Sequence, residues 1–475
     1  MARQRRVRIV NNMDATPLFC PKRARTPAVP GSAGPRNTIA GSDFKGQCPR
    51  PVRKPSLAIL FLTVFVDLVG FGLVLPLLPN YSRSFGATAF QVGCIMASYS
   101  LMQFLCAPAW GALSDRIGRR PVLLASTLVA TLSYLTFAYG STLQGTKALL
   151  VILGSRVVAG ICGANITVAQ AYIADITPPE DRSRRMGLIG MAFGLGFIVG
   201  PALAVGSQWL TGKMGGDRAT IAAAPGLLAA FLCLSNFVSA LVRLPESWKP
   251  GANAATGRTR WSHFAATIRL PSVGFLILTF FLATFGFTCF ESTLGLVVQQ
   301  NFGLSNDDAA RTNAVLFCYA GLVGALVQAG PVGRLVKKLG EARLIAGSLI
   351  VFGVSLLPLP FIHGSHPLQW DLLHQADGTR WLLLLLVVGG LAIGSGLTRP
   401  PLFGMLSRMT PSDEQGATLG VAQSAGALAR VFGPPLAGLL FDRHPSWPYL
   451  LCGLLAIATG AFAWHRLVGR ATATA

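Results

Sequence analysis

Long apolar runs separated by short polar turns occupy the chain from residue 56 almost to its end. A helix needs roughly 20 predominantly apolar residues to cross a bilayer, and twelve runs are close to that length. Their continuity favours helices over the short alternating strands of a membrane β-barrel. The pattern therefore predicts an all-α integral membrane protein whose twelve transmembrane helices lie at 56–78, 89–110, 121–139, 147–172, 187–210, 220–242, 272–299, 313–335, 343–362, 381–404, 416–440 and 447–466.

The composition supports this interpretation, because only 12% of the 475 residues are charged, against about 25% in a soluble domain. The net charge of +22 would suit a nucleic-acid-binding protein, but its distribution follows the loops. With the N-terminus in the cytoplasm, the cytoplasmic segments hold 18 lysines and arginines and the opposite loops hold 7. This bias sets the orientation of membrane helices. We therefore expect both termini on the cytoplasmic side of a plasma or inner membrane, and no nucleic-acid partner.

Two parts of the chain repeat one another. The segment from Ile176, "ITPPEDRSRRMGLIGMAFGLGFIVGPALA", matches the segment from Met409, "MTPSDEQGATLGVAQSAGALARVFGPPLA", at a constant offset of 233 (410 − 177). Earlier in the chain, "GALSDRIG" matches "GRLVKKLG" at an offset of 222 (333 − 111), which pairs Gly118 with Gly340. Such a duplication predicts two pseudo-symmetric halves of six helices with the same topology, an arrangement that transporters build around a central cavity.

Polar segments divide the chain around these halves. We expect a basic N-terminal tail at 1–55, an N-terminal half at 56–243, a cytoplasmic linker at 244–270, a C-terminal half at 271–466 and a short tail at 467–475. The linker is rich in Gly, Ala and basic residues and is expected to carry an interfacial helix. The basic, Pro-rich N-terminal tail favours disorder over the organelle presequence that its low acid content also suggests.

Ionisable residues inside the predicted spans are few, and such residues are expensive in a membrane and usually functional. Under the 222 offset, Glu291 corresponds to position 69, within one turn of Asp67, so the first helix of each half carries a carboxylate. A buried carboxyl whose charged neighbours change between two states can load and unload a proton. The alternative is a static ion pair that fixes helix packing. The five ionisable residues are Asp67, Arg156, Glu291, Arg399 and Arg430. Asp67 and Glu291 are candidates for carrying the proton, and Arg399 and Arg430 are candidates for the substrate cavity.

Four further residues are candidates for the wall of a substrate cavity. Gln103 and Asn165 could contact substrate, although polar residues in spans often form interhelical hydrogen bonds instead. Tyr99 and Phe290 could line the cavity or simply pack. Arg399 precedes a proline, which disfavours the helical conformation and predicts a broken helix end at this position.

Catalytic and cofactor chemistry is not indicated. The nine cysteines form no C-x-x-C pair, and no pair of histidines has the spacing of metal ligands. We expect the cysteines to pack as small apolar residues. Neither a metal, nor a cofactor, nor an enzymatic activity is expected.

The stretch "GALSDRIGRRP", at 111–121, lies between the second and third predicted spans. A topology anchor explains its arginines but not its aspartate and glycines. It resembles the loop motif G-x-x-x-D-R-x-G-R-R of the major facilitator superfamily. The resemblance implies a latch that stabilises the outward-open state, with an acidic partner on an adjoining helix end. The latch residues would be Gly111, Asp115, Arg116, Gly118, Arg119, Arg120 and Asp175.

Three more stretches indicate which branch of the superfamily the chain resembles. "DLVGFGLVLPLLP" from Asp67 and "GSRVVAGICGA" from Gly154 resemble the first- and fourth-span motifs of the twelve-span drug:proton antiporters, and the second implicates Arg156 in proton transfer. "GLGFIVGPALA" resembles their fifth-span antiporter motif, carried here by Gly196, Gly200 and Pro201. Together with "AYIADITPPEDR", these stretches are most similar to the tetracycline-resistance efflux branch.

The resemblance implies proton-coupled efflux of a small amphiphilic compound, a drug or a metabolite, by alternating access in a monomer. Protons and the bilayer would then be its other partners. Two alternatives stay open at this point. One is a facilitator or proton symporter of a small solute, and the other is a non-transporting membrane sensor that retains the fold.

Overall fold

The structure is a computed structural model that describes residues 57–163, 165–247, 271–366, 368, 377–410 and 415–468. At 108, 165, 179–184, 186–187, 190, 271, 329 and 415–417 it describes the backbone only. The predicted N-terminal tail, most of the predicted linker and residues 469–475 lie outside the described residues. All described residues belong to one unit, residues 53–475.

In the described chain, eight helices precede the predicted linker. They are α1 (Leu57–Val74), α2 (Leu78–Ser84), α3 (Ala89–Ile117), α4 (Arg119–Thr142), α5 (Gly145–Cys162), α6 (Asn165–Ile176), α7 (Pro179–Lys213) and α8 (Arg218–Arg243). Long apolar sequences form most of them, and α2 is a short helix of seven residues.

Seven helices follow the linker in the described chain. They are α9 (Pro271–Phe302), α10 (Asn306–Ala329), α11 (Pro331–Leu339), α12 (Glu341–Leu356), α13 (Gly378–Met409), α14 (Gln415–Arg443) and α15 (Trp447–Ala463). A 3₁₀ turn at Leu359–Phe361 continues α12, and a π turn at Trp464–Val468 continues α15.

Twelve helical segments of the described chain are long and apolar enough to cross a membrane, six in each half. This confirms the predicted number and the all-α fold. The pairs α1–α2 and α5–α6 each form one span, Leu57–Ser84 and Gly145–Ile176. Large apolar side chains such as Leu132 and Leu150 are exposed on the outer surface, as expected where lipid rather than water surrounds a helix.

The prediction of a broken helix end at Arg399 is wrong. Helix α13 continues through Pro400 and Pro401 to Met409. A proline inside a helix removes one hydrogen bond, but neighbouring helices compensate for this loss more readily in a membrane. Arg399 therefore lies inside a span and not at its end.

Two glycines at matching positions in the repeat have the same unusual backbone conformation. Gly118 joins α3 to α4 with φ 102° and ψ 161°, and Gly340 joins α11 to α12 with φ 79° and ψ 157°. This region of conformational space is essentially restricted to glycine. Each glycine lets one helix end and the next begin without an intervening loop, at the same end of both halves.

The two halves contact one another mainly through α3 against α14 and α7 against α10. Within the N-terminal half, α7 crosses α1 closely because both helices carry glycine there. A Cβ built on Gly200 would lie 2.7 Å from the Cα of Gly72. We call the end of the bundle that contains Gly118 the latch end, and the end that contains the α2–α3 turn the opposite end.

Candidate functional site

A cavity lies between the two halves, enclosed by α1–α3 and α5 on one side and by α9 and α14 on the other. Its free space is about 420 Å³, including the part open to solvent. Most of the wall is apolar, and two arginines and one glutamate interrupt it. The lining residues are Phe71, Leu75, Leu78, Met96, Tyr99, Ser100, Arg156, Thr288, Glu291, Arg430 and Pro434.

Arg156 reaches the cavity from α5 and is only 3% exposed. Its guanidinium carbon lies 5.5 Å from the ring centre of Tyr134 and 5.3 Å from that of Phe137. Its Nε donates to Ser155 Oγ at 3.5 Å, while its buried Nη2 has no hydrogen-bond partner among the described residues. A buried charge normally has a partner, so this donor is available to a ligand.

Glu291 reaches the same cavity from α9 and is 6% exposed. Its Oε1 is buried and has no hydrogen-bond partner among the described residues. Arg430 on α14 and Arg399 on α13 are close enough to interact with its charge. The structure therefore brings together three of the predicted charged residues, Glu291, Arg399 and Arg430, within the C-terminal half.

Asp67 lies in the N-terminal half, and it does not line this cavity. Its Oδ1 accepts a weak hydrogen bond from Cys233 Sγ on α8 at 3.9 Å. It is also close enough to Tyr99 and Tyr134 to interact with them electrostatically. The first helix of each half thus carries a carboxylate, as predicted from the repeat, but in this structure only Glu291 faces the cavity.

The other predicted cavity residues divide between wall and packing. Tyr99 lines the cavity, with its ring centre 5.0 Å from that of Phe71. Gln103 instead donates to the carbonyl of Gly163 at 2.7 Å. Phe290 is buried in a cluster of aromatic residues, 6.3 Å from Phe317. Asn165 begins α6, and its side chain lies outside the described residues.

Arg399 also stands apart from the cavity wall. Its guanidinium carbon lies 5.8 Å from the ring centre of Phe287 and 6.0 Å from that of Phe280. These two rings belong to α9, the helix that carries Glu291. Arg399 therefore acts on Glu291 through its charge while it packs on aromatic faces.

The predicted latch residues form a compact network around Arg119, which is 7% exposed. Its Nη1 lies 2.6 Å from Asp115 Oδ1 and donates to Ser114 Oγ, also at 2.6 Å. Its Nε donates to Asp175 Oδ2 at 3.0 Å. The structure thus joins α3, α4 and α6 through one guanidinium. Gly111 contributes its carbonyl to Ser114, and Arg116 is exposed on the same turn.

Sequence reasoning missed Glu246, which lies just beyond α8. Its Oε1 accepts from the backbone N–H of Arg119 at 2.9 Å, and its Oε2 accepts from that of Arg120 at 3.1 Å. A carboxylate at a helix N-terminus satisfies amides that have no partner within the helix. Arg120 in turn donates to the carbonyl of Leu241 at 2.6 Å. The start of the linker is therefore attached to the latch network.

The predicted antiporter motif lies where α7 crosses α1. A Cβ on Gly196 would lie 2.9 Å from the backbone of Leu68, and Gly200 faces Gly72. Pro201 lies inside α7 without ending it. The structure thus packs Gly196 and Gly200 of α7 against α1, the helix that carries Asp67.

The described residues contain no group of three or more His, Cys, Asp and Glu side chains that could hold a metal ion. The seven cysteines of the described chain are all free thiols, and four of them are buried. They occupy packing positions within the spans.

Comparisons with known proteins agree with this architecture. The family model described as "Major Facilitator Superfamily" matches residues 60–376 and 329–474. The chain is 32% identical over 433 residues to "Tetracycline resistance protein, class C" of Escherichia coli, with 86% of this chain and 98% of that protein covered. It is 27% identical over 412 residues to "Multidrug resistance protein 2" of Bacillus subtilis (strain 168), covering 85% and 93%.

Among solved structures, the chain resembles the crystal structure of the human organic anion transporter MFSD10 (TETRAN). The TM-score is 0.60 at 25% sequence identity, with 87% of this chain and 100% of that chain covered. It also shares its fold with a D-xylose–proton symporter, with a TM-score of 0.64 at 16% identity and coverage of 86% and 97%. The matching family consists of membrane transporters and not enzymes, which agrees with the expectation from sequence. This chain, a multi-pass membrane protein, belongs to the major facilitator superfamily.

Proposed function

We propose that this protein is a proton-coupled antiporter that exports a small amphiphilic compound by alternating access. One observation carries the proposal: Arg156 and Glu291 line one cavity from different halves, and each has a buried polar atom without a hydrogen-bond partner among the described residues. Ionisable groups held in this way inside a membrane bundle mark substrate or proton pathways. If the two halves move against each other, the two groups approach or separate.

Glu291 suits the proton-carrying role because its free Oε1 can take either a proton or a hydrogen bond from a substrate. Antiport requires that substrate and proton compete, so that each crosses only when the other is absent. A substrate that donates to Oε1 competes directly with the proton. Arg430 and Arg399 interact with the charged form, so a shift of either arginine during the cycle would change the affinity for the proton. Asp67 and Arg156 are the coupling candidates in the other half.

The cavity wall supports an amphiphilic substrate. Phe71, Leu75, Leu78 and Met96 provide apolar surface, while Ser100 and Tyr99 supply hydroxyl groups. Ligand sites commonly combine a mostly apolar wall with a few polar groups that fix orientation. The names of the relatives refer to tetracycline resistance, multidrug resistance and organic anion transport, and all of these suit a small organic compound.

In this proposal the protein works as a monomer in the cell membrane, with the latch end and both termini in the cytoplasm. The network of Asp115, Arg119 and Asp175 would stabilise the outward-open state. The excess of basic residues in the loops of that end supports this orientation.

A second candidate is a proton symporter of an anionic solute. Two arginines, Arg156 and Arg430, line the cavity against one glutamate. An anion bound to Arg430 would compete with the Glu291 carboxylate for the same partner. Protonation of Glu291 and binding of an anion would then favour one another, so that both would cross in the same direction.

The test uses the purified full chain in liposomes that contain a pH-sensitive dye under an imposed pH gradient. A panel of cationic, zwitterionic, anionic and sugar-like compounds is screened for substrate-dependent proton flux. Glu291→Gln is measured alongside Asp308→Asn, a control whose carboxylate lies outside the cavity and accepts from the hydroxyl of Ser305, the cap of α10.

Proton flux opposite to the substrate, lost in Glu291→Gln and kept in Asp308→Asn, is the expected result. Flux in the same direction as the substrate would favour the symporter. Transport of a substrate without proton movement would exclude proton coupling and leave a facilitator.

A further inference from the structure

Asp442, in the last turn of α14, lies against the first turn of α3 in the other half. Its Oδ1 accepts from the backbone N–H of Ala89 at 2.9 Å, and its Oδ2 accepts from that of Phe90 at 2.9 Å. The first amides of a helix have no partner within the helix. One carboxylate of the C-terminal half therefore satisfies two of these amides in the N-terminal half.

The N-terminus of α3 has its own cap, which leaves only these two amides for Asp442. Thr88 Oγ1 accepts from the N–H of Gln91 at 3.2 Å, and Gln91 Oε1 accepts from the N–H of Thr88 at 2.9 Å. This reciprocal pair is a capping box. Local side chains thus satisfy the amides of Thr88 and Gln91, and Asp442 of the other half satisfies those of Ala89 and Phe90.

The two helices are in direct backbone contact beneath this cap. A Cβ built on Gly93 would lie 2.8 Å from the Cα of Pro435, and one on Gly438 would lie 2.7 Å from the Cα of Phe90. No side chain fits between the two backbones at these positions. The cavity lies directly below, since Pro434 and Met96 of the same two helices are in its wall. In this structure α3 and α14 therefore close the cavity toward the opposite end.

A second contact between the halves lies at the same end. Asn313 on α10 is fully buried, and its Nδ2 donates to the carbonyl of Pro76, between α1 and α2, at 2.6 Å. Arg218 and Asp307 form an exposed ion pair at 3.6 Å nearby. This exposed pair contributes little, so opening this end has to break the hydrogen bonds of Asp442 and Asn313 and separate the backbones of α3 and α14.

We propose that Asp442 is a gate-positioning residue that holds α3 and α14 together at the opposite end and sets the equilibrium between the two access states. In the closed state its carboxylate binds the two amides of α3. When this end opens, water replaces both contacts. This inference rests on the proposed alternating-access transport, and it assigns to Asp442 a role that the latch at the other end does not cover.

The test is hydrogen–deuterium exchange of the full chain in lipid nanodiscs, without substrate. Asp442→Ala and Asp442→Asn are compared with the unsubstituted protein. Asp217→Asn is the matched control, because Asp217 caps α8 at the same end but within its own half, accepting from the N–H of Thr220 at 3.0 Å. Uptake is followed in two peptides, one covering 88–95 and one covering 77–84.

In Asp442→Ala we expect exchange to rise by at least about tenfold in both peptides, because separation of the halves also breaks the contact of Asn313. Asp442→Asn, which keeps one acceptor oxygen, should give a smaller rise. Asp217→Asn should change neither peptide. A rise confined to 88–95 would show that Asp442 only caps α3. No rise in either peptide would show that Asp442 neither stabilises α3 nor holds the two halves together.

A liposome transport assay on the same preparations separates this inference from the proposed function. Normal transport by the unsubstituted protein with no exchange effect in Asp442→Ala would overturn the gate role and leave the transport function standing. An exchange effect in both peptides with no transport of any compound by the unsubstituted protein would support the gate and count against the proposed function.

Discussion

Arg156 on α5 and Glu291 on α9 line the same cavity from different halves, and each carries a buried polar atom with no hydrogen-bond partner among the described residues. Groups whose only task was to join the halves would be expected to bond to each other or to a third residue. Leaving a buried polar atom unsatisfied costs stability, so the arrangement is understandable if a ligand or a proton completes it during the cycle.

Arg156→Met should abolish transport without lowering the stability of the protein. Removing a buried charge relieves its desolvation cost, on the order of several kcal/mol, and this exceeds the loss of the contacts with Tyr134 and Phe137, about 0.5–2 kcal/mol. We expect an unchanged or higher midpoint of thermal unfolding in detergent, together with loss of transport in liposomes. Arg156→Lys serves as the charge-retaining comparison. A variant that transports normally would show that Arg156 has a packing role only.

Asp115→Asn should impair transport and leave folding nearly intact. Asp115 is 62% exposed in its pair with Arg119, and an exposed ion pair contributes only about 0–1 kcal/mol. If the carboxylate acts in the latch, its removal should lower the transport rate at least about tenfold while the amount of folded protein in the membrane stays the same. Rates are compared with those of Asp308→Asn, and equal rates in the two variants would contradict the latch role.

Gly118→Ala and Gly340→Ala form a matched pair for the stability of the two helix junctions. Both glycines have backbone angles that cost another residue about 1–3 kcal/mol. A Cβ on Gly118 would also lie 2.5 Å from Glu246 Oε2, whereas nothing lies within 4 Å of a Cβ on Gly340. Thermal unfolding should therefore show the larger loss of stability in Gly118→Ala. Equal losses would mean that Glu246 moves aside without cost.

Asp377 should make the loop before α13 sensitive to acid. The backbone amides of Ser365 and His366 donate to its carboxylate, at 2.5 and 2.8 Å, as does the guanidinium of Arg380, at 2.7 Å. The hydrogen bond from the Ser365 amide contributes most to holding the pKa of Asp377 well below its ordinary value, and those from the His366 side chain, the Ser365 hydroxyl and the His366 amide lower it further. The contribution of Asp377 to stability is therefore complete above the unfolded-state pKa of about 3.9, and it is lost as the pH falls toward the folded-state value.

The measurement for Asp377 is thermal unfolding between pH 6 and pH 3. Stability of the unsubstituted protein should fall at the acidic end of this range, and the fall should be smaller in Asp377→Asn, which cannot titrate at this position. Identical pH profiles in the two proteins would rule out this carboxylate as a source of acid sensitivity.

The fold could be predicted from sequence because length and apolar continuity determine a membrane span with little help from tertiary contacts. Prediction was wrong at Arg399, where the rule for residues before proline applies to an isolated helix and packing against neighbouring helices overrides it. The charged residues of the cavity could also be predicted without knowledge of tertiary contacts. Glu291 and Arg156 stand out in an apolar sequence whatever their partners are.

The direction in which a side chain faces could not be predicted. A span that is apolar on all sides has no periodicity to indicate its inner face, so Tyr99 and Phe290 were equivalent from sequence although only Tyr99 lines the cavity. Glu246 and Asp442 were missed because their significance arises from helix starts that are 127 and 353 residues away in the chain. Nothing in the local sequence around either residue indicates such a partner.

The matching conformations of Gly118 and Gly340 have a consequence for tracing how this protein arose. The side chains around the two glycines have diverged, "LSDRI" in one half and "LVKKL" in the other, yet the backbone makes the same turn in both. A stereochemical constraint of this kind persists after residue identity has been lost. Backbone angles at helix junctions can therefore preserve evidence of a duplication after the amino acids of the two copies have diverged.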